Sequence, residues 1–202
     1  MKSDYYSVSE NGAGMNEALI ATERFGEASA LDKKSLLRLR LLSEELFGLI
    51  RGIAGDIQAI YWIVADGKSF ELHLRAAVKP TKEIKEQFLA VSTSGQNDAS
   101  KGFMGRIKVM IASVLFSAKD FFALGADNAS IFYPVGDYAS ENDFMWSMAY
   151  YKNKVNCGTD KSLTKTREWD ELEKSIVANI ADDVKVRIVG ENVEVVVYKK
   201  FD

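Results

Sequence analysis

Asp32-Lys33-Lys34-Ser35-Leu36-Leu37-Arg38-Leu39-Arg40-Leu41-Leu42-Ser43-Glu44-Glu45-Leu46-Phe47-Gly48-Leu49-Ile50-Arg51-Gly52-Ile53 leads within a few residues into Ile57-Gln58-Ala59-Ile60-Tyr61-Trp62-Ile63-Val64. In the first stretch Leu39, Leu42, Leu46, Leu49, Ile50 and Ile53 recur at three- and four-residue steps. That spacing lays one apolar stripe along a helix which Asp32 can cap and Gly55 can end. The second stretch is an apolar run followed by Ala65-Asp66-Gly67-Lys68, after which Phe70, Leu72, Leu74 and Ala76 alternate with Glu71, His73, Arg75 and Ala77. Asp-Gly supplies the positive φ of a tight hairpin, and the alternation turns one strand face towards a core. A helix stripe and a strand face that adjoin in the chain and both need cover predict an α+β arrangement.

The same reading extends in both directions. Residues 1–12 are polar and aperiodic and are expected to be disordered, and Met15 to Phe25 reads as a short helix. Pro80 ends the second strand of the hairpin, and Thr81 to Val91 reads as a polar helix. Ser92 to Gly102 has no apolar period and reads as a loop. Phe103, Ile107, Met110, Ile111, Val114, Leu115 and Ala118 then describe a second core helix. Strands are expected at Ile131 to Pro134 and at Phe144 to Tyr151, within a divergent insertion spanning 120–165. Trp169, Leu172, Ile176, Val177 and Ile180 line a helix, and Val184 to Val189 and Val193 to Tyr198 form a hairpin around Gly190-Glu191-Asn192. The expected whole is one domain over residues 1–202, a two-layer α+β sandwich with helices on one face of a mixed, mostly antiparallel sheet.

Composition removes several function classes. With 202 residues, 47% of them hydrophobic, the chain can close one sizeable core. A formal net charge of -3 provides no positive field, so neither nucleic acid nor an anionic membrane is an expected partner. Cys157 is the single cysteine, which rules out an internal disulfide and points to a reducing, cytoplasmic setting. His73 is the single histidine, so His-based triads and multi-histidine metal sites lack material. His73 itself sits on the polar face of a strand and receives no role, and Cys157 has no activating base nearby in sequence. No apolar run reaches the length of a membrane span.

Ser43-Glu44-Glu45-Leu46-Phe47-Gly48-Leu49-Ile50-Arg51-Gly52 resembles the N box of the GHKL, or histidine-kinase-like, ATPase superfamily, especially its small anti-sigma-factor kinases. The succession of helix, hairpin, loop, second helix and closing hairpin carries the resemblance over residues 32–120 and 167–200. It implies the histidine-kinase-like ATPase fold, with Glu44 as the catalytic glutamate. Gly48 stands where the family has a magnesium-binding asparagine, and Val78-Lys79-Pro80-Thr81 lacks the aspartate that reads adenine. Magnesium needs hard oxygen ligands and glycine offers no side-chain oxygen, so no metal site is expected. Ser100-Lys101-Gly102-Phe103-Met104-Gly105 resembles the family's glycine-rich box, implying Lys101, Gly102 and Gly105 as contacts for ATP or ADP. Free amides at a helix start favour phosphate.

The resulting expectation is a regulatory domain that binds a nucleotide or a regulatory protein and is not a competent magnesium-dependent ATPase or kinase. The alternative is a protein-interaction module that keeps only the scaffold. Its contact surfaces would be the Ser92 to Gly102 loop and the cluster of Phe144, Met145, Trp146, Met148, Tyr150 and Tyr151, although that cluster also reads as a buried strand.

Overall fold

The computed structural model describes residues 1–50, 57–79, 103–115, 143–157 and 175–202. Its decisive helix is α2, Lys33–Gly48, which follows α1, Met15–Ala28, and a first strand β1, Tyr6–Ser9. Asp32 holds extended backbone and its carboxylate accepts from the Ser35 amide at 2.7 Å, so the expected N-cap is in place. The helix buries Leu39, Leu42, Leu46 and Phe47. The polar start expected to be disordered instead forms β1, whose Tyr6 and Val8 pair with Tyr61 and Ala59 of β2, Gln58–Asp66. Backbone bonds from Ser3 to Ile63 and from Ala65 to Met1 extend that contact to the first residue.

Strand β2 turns into β3, Ser69–Ala77, through Gly67-Lys68. Gly67 has φ +55 and is flanked by the closing pair Asp66 and Ser69. The tight turn is therefore set by glycine at its first central position, the type II′ pattern. The closing hairpin repeats the device: β5, Asp183–Val189, and β6, Asn192–Lys200, are joined by Gly190-Glu191 with Gly190 at φ +57. Between the two hairpins lie α3, Phe103–Leu115, then β4, Asp143–Ser147, α4, Met148–Cys157, and α5, Ile176–Ile180.

The six strands are ordered β1-β2-β3-β6-β5-β4, and every pairing among them is antiparallel. The expected α+β class holds, but the described sheet is antiparallel rather than mixed. One sheet face carries Tyr61, Ile63, Phe70, Leu72, Val186, Ile188, Val195 and Val197, all buried against the helices. The strand expected over Phe144 to Tyr151 stops at Ser147. From Met148 the chain is helical, because Asp183 accepts the Ala149 amide at 2.9 Å and the Ser147 hydroxyl at 3.1 Å. The helix expected from Trp169 is described only as α5, where Ser175 caps by accepting the Ala178 amide and Ile176 is left exposed. The expected helix at Thr81 to Val91, the Ser92 to Gly102 loop and the strand at Ile131 to Pro134 lie outside the described residues.

Candidate functional site

The C-terminal half of α2 is where the resemblance puts chemistry. Glu44 lies there, and its Oε1 accepts from the Arg40 Nε at 2.9 Å. Arg40 reaches back through Nη1 to Glu23 on α1, so one guanidinium bridges two carboxylates from two helices. Hydrogen bonding to Glu23 first, and then to Glu44, holds that guanidinium charged beyond its ordinary range. Glu44 thus shares its cationic partner with Glu23 within the helix pair. Gly48, one turn further on, ends α2 without a positive φ, and a Cβ placed there meets no described residue within 4 Å. Its lack of a side chain is not demanded by the described residues around it.

Gly105 lies buried in the first turn of α3, while Lys101 and Gly102 lie outside the described residues. The structure therefore places Glu44 and Gly105 on separate helices, and the charged partner of Glu44 among the described residues is Arg40. Met145 and Tyr150 of the methionine and aromatic cluster are exposed, whereas Phe144 and Met148 are buried and Trp146 and Tyr151 pack partly against the core.

Directly beneath α2 lies a buried polar contact. The Tyr61 hydroxyl sits 2.9 Å from both Thr22 Oγ1 of α1 and Ser43 Oγ of α2. Burial pushes the Tyr61 phenol up to about 12, with Ser43 and Thr22 working in the opposite direction. Phe47 meets the Tyr61 ring edge to face at 4.9 Å. The register of α1, α2 and β2 is thereby tied at one point, one residue before Glu44.

The sheet face turned away from the buried side carries a second cluster. His73 stacks on Trp62 across the β2–β3 pair, with centroids 4.6 Å apart and planes 11° from parallel. Its Nδ1 lies 3.3 Å from Glu194 and its Nε2 lies 3.2 Å from Glu71, so each ring nitrogen faces a carboxylate. Tyr5 meets Trp62 edge to face at 5.4 Å, and the Lys2 ammonium lies 4.8 Å from the Tyr5 ring centroid. The alternation of β3 puts Glu71, His73 and Arg75 on this face, but pairing with Trp62 and Glu194 depends on a register that sequence alone does not supply.

Among the described residues no group of three or more His, Cys, Asp or Glu side chains is placed to hold a metal ion. No described helix is long and apolar enough to cross a membrane. Comparison with family models, with curated proteins and with solved structures finds no match to this chain.

Proposed function

We propose that the chain is a regulatory binding domain on a histidine-kinase-like ATPase scaffold, holding a nucleotide or a regulatory protein without magnesium-dependent catalysis. The observation that carries this reading is α2 itself: a helix bearing Glu44, with Gly48 one turn on, feeding a hairpin whose second strand pairs with the closing hairpin. The non-catalytic part rests on two features of that helix. Arg40 already pairs with Glu44, and Gly48 contributes no side-chain oxygen where a magnesium ligand would sit. Lys101, Gly102 and Gly105 are assigned to the phosphates, and Glu44 to the edge of the same site.

Thermal unfolding with ATP or ADP, each with and without magnesium, tests the reading. A ligand held by the native state at ten times its Kd adds about 1.4 kcal/mol. The expected result is a raised midpoint with nucleotide whose size does not change when magnesium is chelated. Absence of a shift with either nucleotide rejects nucleotide binding and leaves the protein partner. The second reading, an interaction module that keeps only the scaffold, draws on the outer sheet face, where Tyr5 and Ile60 are exposed beside the Trp62–His73 stack.

A further inference from the structure

At the opposite end of α2 from Glu44, a recess of about 310 Å³ opens between the helix start, the β2–β3 turn and the end of β6. Twelve residues separate Asp32 from Glu44, which is about 18 Å along the helix at 1.5 Å per residue. The recess is therefore distinct from the site proposed above. Among the described residues its walls bring together Lys34, Arg38, Lys68, Lys199 and Lys200, with the side-chain carboxylates of Asp32 and Asp202 beside them. This gathering of cations belongs to a chain whose formal net charge is -3.

Two of these cations are held by the fold: Lys68 donates to the Asp202 carbonyl, and Lys199 pairs with Asp182 at 2.9 Å. The side chains of Lys34, Arg38 and Lys200 make no hydrogen bond or close ion pair among the described residues, although Lys34 is near enough to Asp32 to help hold that carboxyl ionised. Their placement also runs against local electrostatics. Lys34 sits in the first turn of α2, where the helix dipole is positive, and that turn contains no acidic residue. Lys34 and Arg38 are four residues apart on one helix face, a spacing at which like charges repel. Asp32 relieves this only in part. Hydrogen bonds from the Ser35 side chain and amide keep its carboxyl below the ordinary range, and its accepting oxygen is committed to Ser35. Cations without a close partner among the described residues, converging from a helix and a strand at a cost to the fold, mark a place where a local rule is broken for a ligand.

The geometry points to a binding site for a small phosphoanion, with Lys34 and Arg38 of α2 and Lys200 of β6 as its charged contacts. Inorganic pyrophosphate is the probe. Thermal unfolding is followed as pyrophosphate is titrated at constant ionic strength, in the wild-type chain, in the double variant Lys34→Glu/Arg38→Glu, in Lys200→Gln, and in Lys33→Glu as a control on the same turn. A saturable rise in midpoint is expected for wild type and Lys33→Glu, a rise requiring at least tenfold more ligand for Lys200→Gln, and none for the double variant. Because acidic residues suit a helix start, the unliganded double variant folds with a midpoint at or above wild type, which keeps the comparison valid. An equal response in wild type and the double variant, or no response in wild type, overturns the proposal. Cosedimentation with phosphatidylcholine vesicles doped with phosphatidylglycerol identifies the source of the phosphate. Pelleting reversed by pyrophosphate assigns it to a lipid headgroup, and protein left in the supernatant assigns it to a soluble ligand. A nucleotide response that survives in the double variant belongs to the site at the other end of α2, so the two proposals fail separately.

Discussion

Tyr61 shows how one residue fixes three elements. Three hydroxyl protons serve Thr22, Ser43 and Tyr61, with Thr22 2.8 Å from the Ala18 carbonyl and Ser43 3.3 Å from that of Leu39. Two assignments satisfy these contacts: Thr22 to Ala18, Tyr61 to Thr22 and Ser43 to Tyr61, or Ser43 to Leu39, Tyr61 to Ser43 and Thr22 to Tyr61. Tyr61→Phe leaves both helix hydroxyls a local carbonyl, so it should cost only about 1 kcal/mol in denaturant unfolding. Removing Thr22 and Ser43 together, as Thr22→Val/Ser43→Ala, strands a buried phenol and should cost about 1 to 3 kcal/mol more than the two single changes added. Strict additivity in that double-mutant cycle would refute the shared hydroxyl. The phenol also sets a pH dependence. Its folded value of about 12 lies above the ordinary 10, so the folded state retains a proton that the unfolded state releases. Stability therefore falls as pH rises from 10 through 12, by about 3 kcal/mol at about 1.4 per unit, and Tyr61→Phe should flatten that limb of the curve. Gly48 makes the converse point: no described residue lies within 4 Å of its Cβ position, so Gly48→Ala should stabilise α2 by about 0.5 to 1 kcal/mol, measured by the same unfolding experiment. In the sequence, Glu44 and Gly48 were marked by the resemblance to an N box. The sequence could not mark Thr22 or Ser43, because a small polar residue on an apolar stripe looks like the stripe's edge until the strand that it meets is known.

At the scale of elements, legibility followed locality. The N-cap at Asp32 and the two glycine turns depend on residues within four positions of one another, and each was readable from the chain. Strand β4 was misjudged at its end because Met148 to Tyr151 continues an apolar run, and the Asp183 side chain that starts α4 is 34 residues away from the Ala149 amide it accepts. Strand β1 was missed for a related reason. An edge strand of four residues pairs on one side only and needs little apolar alternation. What joins β1 to α1 is Gly14, held at φ +74 with an ideal Cβ only 1.9 Å from the Ser7 carbonyl oxygen. Gly14→Ala must move backbone and strain φ together, and should cost about 3 kcal/mol. Hydrogen exchange should show the loss concentrated in β1 and the start of α1. Loss of protection spread evenly over the sheet would mean that β1 is not the element Gly14 secures.

Over the whole molecule the strand order divides the chain into parts that can be lost and parts that cannot. Strands β3 and β6 lie at the centre of the described sheet, paired from Ser69↔Lys200 to Ala77↔Asn192, although most of the sequence lies between them. The opening hairpin therefore cannot complete its own surroundings: Leu72 faces Val197 and Leu74 faces Val195 across that central seam. The sequence displayed both hairpins but not their pairing, since nothing in either one names its neighbour. Such long-range pairing makes folding slow relative to a helical chain of equal length. It also predicts opposite outcomes for two truncations. A chain beginning at Glu10 loses β1 and with it the buried side chain of Val8, about 2 kcal/mol of apolar burial, and should still unfold cooperatively at a lower midpoint. A chain ending at Asp182 loses β5 and β6, removes Val184, Val186, Ile188, Val193, Val195 and Val197 from the core, and leaves β3 without its second partner. It should show no cooperative transition by circular dichroism and no protected amides in β2 and β3. Native-like protection of the β2–β3 hairpin in that fragment would mean that α1, α2 and the hairpin fold by themselves, and that the closing hairpin is an addition to the fold rather than its centre.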